Sequence, residues 1–154
     1  MKLNINFMIK DGKRIISRDT KGYKILLNRV AKEFAKINHL PAKEIDVTIV
    51  IQISEQSSYN NSGKYWAKCG QFDWSKMEIK MYKNNCDDKE MLLAFLSHEF
   101  GHLYHYKNDY VDWCKSSILQ KERYADHFAL EMTGINPNSI TGKVRSIAAM
   151  NRSK

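Results

Sequence analysis

Leu92-Leu93-Ala94-Phe95-Leu96-Ser97-His98-Glu99-Phe100-Gly101-His102-Leu103-Tyr104 is the run on which the reading of this chain turns. Phe95, Leu96, Phe100, Leu103 and Tyr104 recur at helical spacing, so they read as core residues on a helix and not as a substrate box. Asn84-Asn85 marks a turn ahead of the run, and Asp87 or Asp88 can cap a helix that begins there. These signals predict a helix from about Lys89 to Lys107. Helical positions four apart share one face. His98 and His102 can therefore offer imidazole nitrogens to one metal ion. Glu99 lies about a quarter turn round, beside the ion. A carboxylate there can take a proton from a water that zinc has brought to a pKa of about 7. Gly101, on the same helix, predicts a close approach by a neighbouring element.

Two histidines do not complete a catalytic zinc site, which needs three protein ligands and one open position. The segment from about Leu119 to Met132 is a second helix, stopped by Thr133-Gly134 with Pro137 beyond. Glu122 and Asp126 stand four apart on it and face the same way. One can bind the metal while the other accepts from the free ring nitrogen of a ligand histidine. The longer reach of glutamate assigns Glu122 to the metal and Asp126 to the supporting role, and the two roles are exchangeable on this reading. His127 is the rival third ligand, although it points away from the Glu122/Asp126 face. His105 also lies on the His98/His102 face, but about 10 Å along the axis from His98, which favours a plain helix-end histidine. Tyr104, Tyr106, Tyr124 and His127 are the candidates to stabilise an oxyanion.

The pattern His98-Glu99-x-x-His102 followed by Glu122 and Asp126 resembles the gluzincin branch of zinc peptidases. It is more closely similar to the ImmA/IrrE family of small metallopeptidases. That family carries His-Glu-x-Gly-His and a downstream helix reading Glu-x-x-Ala-Asn/Asp-x-Phe-Ala, here Glu122-Arg123-Tyr124-Ala125-Asp126-His127-Phe128-Ala129. The match covers about residues 76–134. The resemblance implies an α+β, compact zincin-like domain. A small mixed or antiparallel sheet would pack on the active-site helix and the C-terminal helices. It also implies one zinc ion and a sheet edge for an extended substrate. The implied reaction is cleavage of a regulatory protein such as a transcriptional repressor. The helix-turn-helix domain of several relatives has no counterpart in this sequence.

Upstream, Met77 to Tyr82 alternates apolar and polar residues and is the strand assigned to that edge. Residues 55–64 read as an exposed polar loop, and Tyr65 to Phe72 as one short strand. Tyr65, Trp66, Phe72 and Trp74 are aromatic residues ahead of the edge, most of them for packing. Asp46 to Ser54 is a β-branched buried strand. Leu26, Leu27, Val30, Phe34 and Ile37 place an amphipathic helix over Tyr23 to Ile37, stopped by Pro41. Residues 3–9 form a first strand, and Asp11-Gly12 turns it into Arg14-Ile15-Ile16-Ser17. A last helix is expected from about Ser139 to Met150.

With 43% hydrophobic and 27% charged residues among 154, the composition is that of one globular domain and excludes a disordered chain. A single domain over 1–154 is expected, since no composition break divides it. No apolar run reaches the roughly 18 residues of a membrane helix, and the N-terminus lacks a signal-peptide core. Cys69, Cys86 and Cys114 form no CxxC pair, which points to reduced thiols in a cytoplasm. The net charge of +8 permits a nucleic-acid partner, but the basic residues are scattered and no nucleic-acid motif is present. Beside the peptidase stand two other readings. One is a non-catalytic zinc module that binds DNA or a protein. The other is a metal-free interaction protein.

Overall fold

The computed structural model describes residues 2–36, 44–53, 58–61, 64–67, 69–83 and 89–137, with 58–61 and 64–67 as backbone. The predicted cap at Asp87 or Asp88, the Pro41 stop, the helix from Ser139 and the side chains of Tyr65 and Trp66 fall outside the described residues. The fold class is mixed α+β, as expected.

Strands β1 (Lys2–Asp11), β2 (Arg14–Ser17), β3 (Glu44–Gln52), β6 (Gly70–Asp73) and β7 (Glu78–Tyr82) form a five-stranded sheet in the order β2-β1-β3-β7-β6. β1, β3 and β7 run parallel, while β2 and β6 pair antiparallel on the two flanks. Apolar alternation sets the register. Phe7 sits beside Ile49, Ile49 beside Ile79, and Ile79 beside Phe72, so one row crosses the sheet on a single face. The next row on that face runs Ile9, Ile51, Met81, Gly70. The predicted hairpin at Asp11-Gly12 is present, with Gly12 at φ +60. Buried Gln52 pins it by accepting from the Gly12 N–H at 2.9 Å and donating to the Gly12 carbonyl at 3.0 Å.

Helix α1 (Lys24–Ala35) buries Leu27, Val30 and Phe34 against the apolar face. Helix α2 (Lys89–Asn108) is buried on nearly every side from Leu92 to Leu103, which makes it the central rod of the molecule. The all-round burial explains why its apolar residues are not confined to one stripe. Helix α3 (Tyr110–Lys115) is a short turn capped by Asp109, whose side chain accepts from the Asp112 N–H. Helix α4 (Ile118–Thr133) opens with a reciprocal Ser117/Gln120 capping box and closes on Gly134 in the left-handed conformation. α4 packs along α2, with Ala125 against Gly101. No helix among the described residues is long and apolar enough to cross a membrane.

Three local expectations need correction. Residues 55–64 are not simply a loop, because Ser58–Asn61 forms β4, paired antiparallel with β5 (Lys64–Ala67) as a separate two-stranded sheet. Tyr65 to Phe72 is consequently not one strand, since its first half belongs to that hairpin and its second half, β6, joins the main sheet. The strand from Met77 to Tyr82 is not the edge either. β7 is hydrogen-bonded on both sides, by β3 and β6, and the edges of this sheet among the described strands are β6 and, on the far side, β2. Met77 itself lies in the turn before β7, at φ +50. Alternation told which face of the strand is apolar, but neighbours in a sheet are set by distant pairing that alternation does not encode.

Candidate metal centre

His98 and His102 stand one turn apart on α2, with their rings nearly perpendicular and 4.8 Å apart. Both are buried. Across the helix interface, Glu122 reaches over from the second turn of α4. Its carboxylate lies 3.0 Å from His98 Nε2 through one oxygen and 3.1 Å from His102 Nε2 through the other. Asp126, one turn further along α4, takes the opposite ring nitrogen of His98, with Oδ1 at 2.7 Å from Nδ1. Helical phase put the two carboxylates on one face and left their roles exchangeable; in the structure Glu122 meets both Nε2 atoms and Asp126 meets His98 Nδ1.

Close helix packing brings the parts together. A Cβ on Gly101 would stand 2.8 Å from the Ala125 Cα and 3.1 Å from the Phe128 Cβ. Only a residue without a side chain lets α4 come near enough for Glu122 to touch both rings. Phe34 of α1 backs the joint, packing on Phe100 at 5.4 Å and Phe128 at 6.2 Å between ring centres.

Glu99 is buried next to this cluster, with Oε1 3.9 Å from His98 Nε2. One donor atom from each of His98, Glu99 and His102 lies within 4.8 Å of the others. Ligands held at about 2.0–2.1 Å around a tetrahedral ion stand roughly 3.3 Å from one another. The spacings of Glu122 to the two imidazoles match that figure, and the longer Glu99 spacing does not. The donor set of two imidazoles and one carboxylate, with a second carboxylate alongside, fits a zinc ion.

The charges are organised around the same point. Burial disfavours an imidazolium at His98, yet the Asp126 and Glu122 carboxylates outweigh it and raise the pKa to about 10. Burial also works against ionised Glu122, and the His102 and His98 rings overcome this, holding its carboxyl well below the usual carboxylate range. In the metal-free chain a proton on His98 occupies the place of positive charge between two carboxylates.

The other candidates go elsewhere. His127 is 72% exposed and pairs with Glu131 at 3.1 Å, so it does not approach the two rings. His105 is fully buried, donates from Nε2 to Asp112 Oδ2 at 2.7 Å and stacks on Tyr124 at 3.8 Å. It stands in the last turn of α2, a helix-end histidine as expected, and it braces α2 against α3. Tyr104 stacks on Phe128, and Tyr104, Tyr124 and His127 line a hollow of about 400 Å³ with Glu33 and Met132. Tyr106 packs among Phe72, Trp74 and Trp113. The ring packing of Tyr104, Tyr106 and Tyr124 and the ion pair of His127 are thus made with residues other than His98, His102 and Glu122.

Sequence reasoning passed over two residues at the site. Trp113 on α3 sets its ring edge-on to His102 at 5.9 Å and to His105 at 5.4 Å, with Lys121 Nζ 4.3 Å over it. Its signal was Asp109, a capping residue four positions earlier. Gly70 lies where a Cβ would come within 3.2 Å of Glu99 Cγ and 2.8 Å of Met81 Sδ. An isolated glycine at a strand position is a sign of such close approach.

No family model, curated protein or solved structure matches this chain. The functional reading therefore rests on the residues themselves.

Proposed function

We propose that this protein is a zinc-dependent peptidase in which His98, His102 and Glu122 hold the ion and Glu99 moves the proton. The observation that carries this is the Glu122 carboxylate spanning both imidazoles at 3.0 and 3.1 Å, with the Glu99 carboxylate 3.9 Å from the same His98 nitrogen. When bound, the ion supplies Lewis acidity, which polarises a carbonyl and acidifies water to a pKa near 7.

The remaining steps belong to the chain. Asp126 accepts from His98 Nδ1, which fixes the ring so that Nε2 faces the metal position. Glu99, buried and beside that position, takes the proton of the attacking water and returns it to the departing amine. The outer side of β6, one of the two edges among the described strands and the one that borders Glu99, offers backbone donors and acceptors to an extended polypeptide. Gly70 on that strand borders Glu99, so a peptide laid along β6 passes the proton-transfer group. The resemblance to ImmA/IrrE peptidases narrows the substrate to a regulatory protein in the cytoplasm.

The test is Glu99→Gln. The variant is expected to bind one zinc per chain, as wild type does, and to cleave no peptide that wild type cleaves. Wild-type turnover in the variant removes Glu99 from the reaction. Absence of zinc binding by the folded wild-type protein ends the reading altogether.

A further inference from the structure

Gly70, Phe72 and Trp74 occupy alternate positions along and just beyond β6, so they share the face turned to α2. Their contacts agree. Gly70 borders Glu99, Phe72 packs on Tyr106 at 6.3 Å and Trp113 at 6.2 Å, and Trp74 packs on Tyr106 at 6.0 Å. Tyr110 continues the row, edge-on to Tyr106 at 5.5 Å. The row changes character along its length. Trp113 is buried, whereas Trp74 and Tyr110 are 54% and 56% exposed, and neighbouring Val111 is 61% exposed. An aromatic shelf thus starts at the proton-transfer group and ends in the open, directly beyond the edge strand.

Aromatic residues left exposed beside one another mark a recognition surface, because their burial is deferred to the bound state. The occupant is set by continuity with the edge. A strand added to β6 has its backbone held by main-chain hydrogen bonds and alternate side chains turned onto the shelf. Such a partner is an extended polypeptide and not a base-stacking nucleic acid, whose backbone cannot pair with a sheet edge.

We propose that Trp74, Tyr106 and Tyr110 form a specificity subsite for an apolar, preferably aromatic, side chain of the peptide substrate. The proposal rests on the peptidase reading and adds to it where selectivity lies. Trp74 is four residues beyond Gly70, or roughly 13 Å at about 3.3 Å per residue. A peptide antiparallel to β6 therefore presents this side chain about three to five residues to the N-terminal side of the scissile bond.

The experiment uses the full zinc-loaded chain and peptides in which a single phenylalanine is walked along an alanine and serine background. Cleavage is read by mass spectrometry. Phenylalanine at those positions is expected to raise kcat/KM about tenfold over its alanine counterpart, with lesser effects elsewhere. The ratio is expected to fall toward one in Trp74→Ala and to survive in Trp74→Phe. It is also expected to survive in Ile25→Ala, a control at a distant exposed site. A ratio unchanged in Trp74→Ala, or a preference confined to the C-terminal side of the cut, overturns the subsite. If wild type cleaves nothing, the peptidase reading falls, and the same fluorescently labelled peptides are titrated for binding. Phenylalanine-dependent binding that Trp74→Ala abolishes upholds the subsite independently. Equal binding of all peptides, or tighter binding of a single-stranded oligonucleotide, overturns it.

Discussion

Gly101 of α2 abuts Ala125 of α4 so closely that a Cβ on the glycine would stand 2.8 Å from the Ala125 Cα and 2.9 Å from its carbonyl oxygen. Both are backbone atoms, so a side chain at 101 cannot be accommodated by a rotamer change. The helices must separate, and Glu122, three residues before Ala125, moves with α4.

Gly101→Ala is thus expected to act on the metal site from behind it. Overpacking of this kind costs about 1–3 kcal/mol. The separation should also weaken zinc binding by about tenfold or more, because Glu122, the proposed third ligand, is drawn from the two rings. Chelator competition and thermal melts check both effects. Unchanged affinity in a destabilised but folded variant would show that Glu122 is not a ligand held by this contact.

Substitutions of the polar residues on α4 should rank by their distance from the metal position. Glu122→Ala removes the proposed third ligand and is expected to lose stoichiometric zinc. Asp126→Asn keeps the shape but weakens the hydrogen bond to His98 Nδ1, with an expected loss of about 10–100-fold in affinity. His127→Ala should change nothing, since that ring is paired with Glu131 in solvent. Zinc analysis after dialysis at fixed free metal gives the ranking directly. A larger effect from Asp126 than from Glu122 would exchange their roles.

The long helices α1, α2 and α4 and the gathering of His98, His102, Glu122 and Asp126 were legible because their signals are local. His98 and His102 fall on one helical face by spacing alone, and so do Glu122 and Asp126. Gly134, left-handed, ends α4 where its glycine stop was read, whereas the Ser117/Gln120 capping box that opens the helix was not read from the sequence. What was not legible depended on pairing between distant segments. Polar Ser58–Asn61 carries no apolar alternation, yet its backbone pairs in β4. β7 has the pattern of a half-exposed strand but is flanked on both sides, and the edge passes to the shorter β6. Helix α3, six residues long, is too short for a periodic stripe, so Trp113 beside His102 went unread.

Gly70→Ala is expected to separate proton transfer from metal binding. Its Cβ would meet Met81 Sδ at 2.8 Å, the Lys80 carbonyl oxygen at 3.1 Å and Glu99 Cγ at 3.2 Å. The methionine sulfur can yield, but Glu99 must shift as well. His98, His102 and Glu122 have no part in that contact. Zinc affinity should therefore stay within about twofold of wild type while kcat falls several-fold, a small displacement of a proton-transfer group being costly. Parallel loss of zinc and activity would place Gly70 in general packing instead.

In chelator-treated protein, pH should act through the proton on His98. Its pKa is raised from 6.5 to about 10, so its ion pairing supports the fold fully below about 6.5 and is lost as pH rises through about 10. Glu122 works in the opposite sense. Its pKa is lowered from 4.5, so its contribution is present above about 4.5 and is lost as pH falls into the acid range. The two overlap between about pH 4.5 and 6.5, where the cluster should stabilise the metal-free chain most. Zinc must displace the His98 proton. Apparent zinc affinity is accordingly expected to rise by up to about tenfold per pH unit from 7 to 9, with close to one proton released from this ring per ion bound at pH 7.5. Calorimetry in buffers of different ionisation enthalpy counts that proton. Melting curves of the chelated protein from pH 5 to 10 should show a decline above pH 6.5 that His98→Gln abolishes. An affinity independent of pH over this range would mean that zinc displaces no proton from His98, so that either its pKa is not raised or its ring does not bind the metal.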